Sequence, residues 1–192
     1  NTLISLDDAG TPIVLTANTI LSGNTAGAIT LGGTVNGAYS LTVNTTGTTT
    51  LSGDIGGNTA LTTLTTNTGG TTVISVDIET SSTQTYNDAV TINGTLDFTG
   101  STVQFANTLA GDDGTGDNLT ISGVLDLDGA ATSLTSLTVE GTSNLGADVT
   151  TSSTQTYSGA ITLTANTTLT STGAAITAST IDGAHDLTIA SG

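Results

Sequence analysis

The residues of this sequence best suited to chemistry are clustered carboxylates. The stretch GDDGTGDN at 111–118 contains Asp112, Asp113 and Asp117 among glycines, a composition typical of a turn. Calcium ions in proteins prefer carboxylates and backbone carbonyl oxygens as ligands. The spacing matches neither an EF-hand loop nor the glycine-rich nonapeptide of calcium-binding β-rolls. We therefore predict at most a weak calcium site, with these three aspartates as its candidate ligands.

Two other acidic residues raise the question of catalysis. In the sequence LDLDG, Asp126 and Asp128 share one side of a strand, and paired carboxylates across a cleft catalyse glycoside hydrolysis. The alternation favours a simpler interpretation, two solvent-facing acids on either side of an inward Leu127. The single histidine, His185, fills the repeat position that Tyr39 fills elsewhere, which is typical of a half-exposed strand start. We predict that the chain is not an enzyme.

Composition excludes several classes of function. The 192 residues include 16 Asp and Glu but no Lys or Arg, so the formal net charge is −16. Nucleic-acid binding and attachment to anionic membranes both need cationic side chains, and the lysine of a phosphate-binding loop is absent. There is no cysteine for disulfides or zinc, and no apolar run long enough for a membrane-spanning helix. We therefore expect that the protein neither binds nucleic acid nor inserts into a membrane.

Short strands are the elements that must position the aspartates. Apolar residues recur in alternating bursts, such as TVISVDI at 72–78 and SLTSLTV at 133–139, with Gly, Asn, Asp and Ser between them. Threonine fills 48 positions and proline only one. Helical periodicity is nowhere sustained. The pattern predicts an all-β fold of many short strands, with Phe98 and Phe105 in the core.

Internal repetition narrows the choice of fold. The heptapeptide TSSTQTY at 80–86 returns unchanged at 151–157. With its surroundings it belongs to a unit of about 72 residues, present in about 2.5 copies. We place the units at approximately 1–79, 80–150 and 151–192, within a single continuous domain.

Such repetition favours a right-handed parallel β-helix, or β-solenoid. Each coil lays its strands on those of the preceding coil about 4.8 Å away, so this chain would make about 8–9 coils and a rod of about 40 Å. Threonine suits the outward positions and aliphatic residues the inward ones. Tyr86 and Tyr157, which end the heptapeptides, are expected to cover a coil corner or to stack along the rod. The alternative fold is a set of tandem β-sandwich domains.

Two segments resemble a known family. STQTYNDAVTINGTLDFTGSTVQF and NGAYSLTVNTTGTTTLSGDIGGNTALTTLTT are similar to the Thr/Gly/Asn-rich β-strand repeats of large bacterial surface proteins, the filamentous-haemagglutinin-like and autotransporter-like adhesins. The resemblance extends over essentially the whole chain. It implies a secreted, extracellular β-helix at the cell surface that serves as an adhesin shaft or fibre. The lysines common in such repeats are absent here.

We therefore expect a structural role. No capping helix is visible at either end, and uncapped β-helix ends are strand edges that pair with further strands. The expected function is an element of an extracellular filament or adhesin stalk, and the expected partner is a second copy stacked head to tail or flanking repeats of the same protein. The alternative is an adhesive module that recognises carbohydrate or a host surface, with calcium as a potential requirement.

Overall fold

A computed structural model describes residues 3–6, 12–23 and 26–192 of the chain. Within these ranges the secondary structure consists of β-strands, and no helix is present. The described residues accordingly include no helix long and apolar enough to cross a membrane. The predicted first repeat unit, 1–79, is therefore described only in part, because residues 1–2, 7–11 and 24–25 lie outside the described ranges.

The strands are short, and in most of them buried and outward-facing residues alternate, as the sequence pattern requires. In chain order they are β1 (Ile4–Leu6), β2 (Ile13–Val14), β3 (Thr19–Ser22), β4 (Ile29–Leu31), β5 (Val35–Asn36), β6 (Ser40–Asn44), β7 (Thr48–Leu51), β8 (Thr63–Thr66), β9 (Thr71–Ile74), β10 (Ile78–Glu79), β11 (Thr83–Tyr86), β12 (Ala89–Ile92), β13 (Thr95–Phe105), β14 (Leu109–Gly111), β15 (Asn118–Leu127), β16 (Ala131–Leu134), β17 (Ser136–Val139), β18 (Ser143–Leu145), β19 (Val149–Thr151), β20 (Gln155–Tyr157), β21 (Ile161–Leu163), β22 (Thr167–Ser171), β23 (Ile176–Ala178), β24 (Ile181–Asp182) and β25 (Leu187–Ser191).

These strands form three parallel sheets, which are the three faces of the solenoid. Sheet A consists of β1, β4, β7, β9, β12, β14, β16, β19, β22 and β25. Sheet B runs from β2 and β5 through a bridge at Ile55 to β10, the first half of β13, the first half of β15, β17, β20 and β23. Sheet C contains β3, β6, β8, β11, the second halves of β13 and β15, β18, β21 and β24. The long strands β13 and β15 pass from sheet B into sheet C, so they join the two faces.

Each coil contributes one strand to each sheet before the chain returns to sheet A. The sheet A partners Thr72, Val90 and Leu109 show the period, since they are 18 and 19 residues apart. The parallel strands stack in about nine turns, and this arrangement fits the predicted right-handed parallel β-helix. The alternative of tandem β-sandwiches is wrong, because sandwiches are antiparallel.

Side chains from all three sheets fill the interior. The buried apolar residues form one cluster along the rod, and Phe98 and Phe105 are fully buried in it, which confirms their predicted core positions. Tyr86 stacks on Phe105 with ring centroids 5.3 Å apart. Of the two positions predicted for the tyrosines, stacking along the rod is found for Tyr86, because Phe105 is its register partner in the next coil. Neither Tyr86 nor Tyr157 covers a corner, because both are buried inside and find hydrogen-bond partners there.

The two identical heptapeptides lie on different sheets. The first copy ends in β11 on sheet C, whereas the second ends in β20 on sheet B. Three coils and one further strand, β19, lie between them. The two copies, and with them Tyr86 and Tyr157, therefore do not stack on each other along the rod.

Candidate functional site

The candidate site lies at a corner where the chain passes from sheet A to sheet B. Residues 112–117 connect β14 to β15 there. From Ile29 onward, the other corners between these two sheets are one to four residues long. The six residues of this corner supply the additional chain that the aspartates need to fold towards one another.

The structure brings the three predicted aspartates together. Asp112, Asp113 and Asp117 each offer one carboxylate oxygen, and these oxygens all lie within 4.8 Å of one another. Asp112 and Asp113 are exposed, whereas Asp117 is buried. The cluster thus has an open outer side and one ligand fixed in the wall of the solenoid.

Asp117 is held by the backbone of the preceding coil. Its Oδ1 accepts a hydrogen bond of 3.0 Å from the backbone N–H of Gly94. Its Oδ2 is buried without a hydrogen-bond donor. A Cβ at Gly111 would lie 2.6 Å from that Oδ2, so the close approach of this carboxylate requires glycine at position 111.

The two exposed aspartates have short-range partners. The side-chain amide of Asn93 donates a hydrogen bond to the Asp112 carboxylate. Asp113 Oδ1 accepts hydrogen bonds from the Thr115 hydroxyl at 2.7 Å and the Thr115 N–H at 2.8 Å. These two hydrogen bonds lower the pKa of Asp113. Asp113 therefore stays ionised, and thus able to bind a cation, to a lower pH than an isolated aspartate.

Asn93 and Gly94 also belong to this site, although no motif in the sequence indicates them. They lie one coil before the aspartates, between β12 and β13, and stacking places them beside the corner. The coil length would have identified them, because Asn118 is the register partner of Thr95. That length varies along the chain, so the register became known only from the structure.

The charge of the cluster is not compensated by the protein. The sequence has no Lys or Arg, and the single histidine, His185, is exposed between β24 and β25 at the far end of the rod. Ligand oxygens around a calcium ion are at most about 5 Å apart, since Ca–O distances are 2.3–2.6 Å. The three carboxylates are close enough to share one such ion.

The second acidic pair points away from the interior. Asp126 lies on the outer face of sheet C between Gln104 and Asn144 of the neighbouring coils, and Asp128 is exposed at the following corner. Partial burial, together with the charge of Asp128, raises the pKa of Asp126. Gln104 Nε2 donates a hydrogen bond of 3.1 Å to Asp128. The pair flanks the buried Leu127, as the alternation of the sequence predicts.

Comparisons with protein-family models, with curated proteins and with solved structures found no match to this chain. The adhesin-repeat resemblance of the sequence stays a prediction. Any function must therefore be argued from the geometry of the solenoid and of its acidic corner.

Proposed function

We propose that this protein is a rigid structural element of an extracellular bacterial filament or adhesin stalk. The observation that carries the proposal is the unbroken stacking of three parallel sheets through about nine coils around a single apolar interior. A parallel solenoid of this kind resists both deformations: extension must break main-chain hydrogen bonds in all three sheets, and bending must break those on the outer side of the bend. Such a molecule is suited to holding other parts at a distance.

The outer surface supports the same role. The outward ladder of sheet C continues from coil to coil with Thr42, Thr65, Thr85, Gln104 and Asp126. Hydroxyl and carboxylate groups keep this face hydrated. The net charge of −16 opposes side-by-side association of rods, and a chain without Lys or Arg offers no cleavage site to trypsin-like proteases. These properties suit a secreted protein at the cell surface.

End-to-end continuation is the proposed mode of assembly. On sheet A, Val149 and Leu169 form an inward ladder and are fully buried, and Ile189 of β25 continues it. Ile189 is nevertheless 52% exposed, because in the described structure β25 is paired only with β22. A further coil, from a second copy or from flanking repeats of the same protein, would bury this side chain and pair the strand edge.

Negative-stain electron microscopy and sedimentation of the purified chain test this assembly. If copies stack, we expect filaments of uniform width, and Ile189→Asp should abolish them because it places a charge in the proposed interface. The matched control is Thr188→Asp on the same strand. Thr188 faces outward, so this variant adds the same charge without entering the interface.

Two outcomes would contradict the proposal. Monodisperse rods of the wild-type chain at all concentrations would remove self-stacking and leave flanking repeats as the partner. A flexible, expanded particle in small-angle X-ray scattering, in place of a rod of about 40 Å, would remove the shaft role itself.

A second candidate function, adhesion to carbohydrate, has one observation in its favour. A surface cleft of about 270 Å³ lies beside the acidic corner, and Gly114, Ser133, Thr150, Ser152 and Thr172 contribute to its lining. Hydroxyl groups of this kind form hydrogen bonds with sugars. Glycan-array binding that is lost in Thr150→Val would support it, whereas unchanged binding in that variant would place any adhesive site elsewhere.

A further inference from the structure

We infer that the corner formed by Asp112, Asp113 and Asp117 binds one calcium ion. This inference is independent of the proposed shaft function. Asp117 is only 1% exposed, and its Oδ2 has no hydrogen-bond donor. A buried polar atom without a partner is costly, and most such atoms in native proteins are satisfied by a protein group, a water molecule or an ion.

The position of this oxygen points to an ion. Oδ2 of Asp117 lies against Gly111, the residue directly before Asp112, so it is next to the start of the acidic corner. The carboxylate of Asp117 also lies within 4.8 Å of oxygens from both Asp112 and Asp113. The unsatisfied atom and the charge cluster therefore belong to one place in the fold.

Electrostatics favours a cation from solution at this place. Three carboxylates within this distance repel one another, and a chain without Lys or Arg has no side chain to neutralise them. A divalent cation held by the three carboxylates removes the repulsion, and coordination through Oδ2 of Asp117 would give that atom the partner it lacks.

The donor set selects calcium among common divalent ions. All three ligands are carboxylate oxygens, with neither histidine nor cysteine in the cluster, which disfavours zinc and other ions that prefer nitrogen or sulfur. Magnesium requires a near-ideal octahedron at 2.0–2.1 Å, whereas calcium accepts an irregular site completed by water. The exposed outer side of the corner gives water access.

Calcium binding would stabilise the contacts among three successive coils. Asp117 Oδ1 accepts from Gly94 in the preceding coil, and the Asp117 carbonyl accepts from the Thr135 N–H of the following coil at 2.8 Å. An ion on Asp117 therefore stabilises the longest of the corners between sheets A and B downstream of Ile29, at a point where it contacts both neighbours.

Isothermal titration calorimetry with calcium chloride tests the inference. The full chain, freed of metal by chelation, is titrated in 0.15 M NaCl so that non-specific attraction to the acidic surface is screened. We expect one ion per chain, with a Kd on the order of 10⁻⁴ M, and a higher melting temperature in calcium. Magnesium chloride at the same concentrations should bind more weakly.

Variants locate the ion. Asp112→Asn and Asp117→Asn should each weaken calcium binding by about tenfold or more, because each removes one ligand charge. Asp126→Asn is the matched control, since it removes one charge from the outer face of sheet C and should leave the affinity unchanged. Asp112 is exposed, so its variant keeps the test valid even if Asp117→Asn fails to fold.

Absence of a saturable calcium signal in the wild-type chain would overturn the inference. Equal weakening by Asp126→Asn and Asp112→Asn would overturn it as well, because the ion would then respond to the overall charge and not to this corner.

Discussion

The Tyr86 hydroxyl donates a hydrogen bond of 2.9 Å to Oε1 of Gln84, with both side chains fully buried inside the solenoid. Gln84 in turn donates from Nε2 to the backbone carbonyls of Ile78 and Thr99. The second heptapeptide repeats the arrangement, with Tyr157 and Gln155 at 3.2 Å. The tyrosine and the glutamine of each heptapeptide therefore provide each other with a hydrogen-bond partner inside the core, on sheet C and on sheet B alike.

Removal of the Tyr86 hydroxyl tests this unit. Tyr86→Phe leaves Oε1 of Gln84 buried without its donor, so the free energy of unfolding should fall by about 1–3 kcal/mol. Denaturant unfolding followed by circular dichroism measures the change. Tyr39→Phe is the control, because the Tyr39 side chain is 39% exposed and should change stability by less than about 0.5 kcal/mol. Equal stabilities of the two variants would show that the buried hydrogen bond contributes nothing.

The pH dependence of stability should carry a contribution from Asp88. This residue is buried, with its carboxylate accepting from the Gly70 N–H at 2.7 Å and the Thr72 hydroxyl at 3.5 Å. Burial raises the pKa of Asp88 in spite of both hydrogen bonds. The folded state therefore holds a proton at pH values where the unfolded state has lost it, and the free energy of unfolding falls as pH rises from the ordinary pKa of 3.8 through the raised one.

The variant Asp88→Asn removes this titration while it keeps an oxygen to accept from Gly70. We expect it to be at least as stable as the wild type at pH 7 and to lose less stability between pH 4 and pH 7. The exposed Asp186→Asn serves as control for the general loss of one negative charge. Identical pH profiles for Asp88→Asn and Asp186→Asn would contradict the assignment.

Close stacking of successive coils, where the chain passes from sheet B to sheet C, depends on a glycine ladder. An added Cβ would lie 1.9 Å from the Gly100 carbonyl oxygen at Gly123, 2.2 Å from that of Gly123 at Gly141, and 2.3 Å from that of Gly141 at Gly159. Gly141→Ala should therefore destabilise the fold by about 1–3 kcal/mol, because the backbone of two coils must move apart. Thermal unfolding measures this, and the exposed Ser158→Ala should leave the melting temperature within about 1–2 °C of the wild type.

The aromatic cluster should dominate the stability of the central coils. Phe98 packs against both Tyr86 and Phe105, with ring centroids 5.9 Å and 6.4 Å away. Phe98→Ala should lower the free energy of unfolding by about 3–5 kcal/mol through the lost burial and the cavity that remains. The control, Val14→Ala, changes a side chain that is 61% exposed. A loss below about 1 kcal/mol for Phe98→Ala would mean that the coil collapses around the gap.

Much of the fold could be predicted because its signals are local. Alternation in LDLDG places Leu127 inside and Asp126 outside, and the structure has both there. Phe98 and Phe105 were placed in the core for the same reason. The proximity of Asp112 and Asp113 to Asp117 could also be anticipated, since a single glycine-rich corner holds all three.

Other features could not be predicted because they depend on register. The heptapeptide predicts either a corner position or a stacked position for Tyr86 and Tyr157, and the choice depends on the glutamine two residues earlier on the same side of the strand, which gives both tyrosines an internal partner. Asn93 and Gly94 reach the acidic corner only because 23 residues separate Thr95 from its partner Asn118, and this interval differs from coil to coil.

The sequence by itself determined the strands, the inward and outward faces, the solenoid and the acidic character of the chain, since each follows from composition and from a period of two residues. The tertiary structure decided which residues become neighbours. Corners of unequal length change the length of each coil, so the sheet on which a segment lies is fixed only when the coils stack. For that reason identical heptapeptides occupy different faces, and a carboxylate in one coil finds its donor in another.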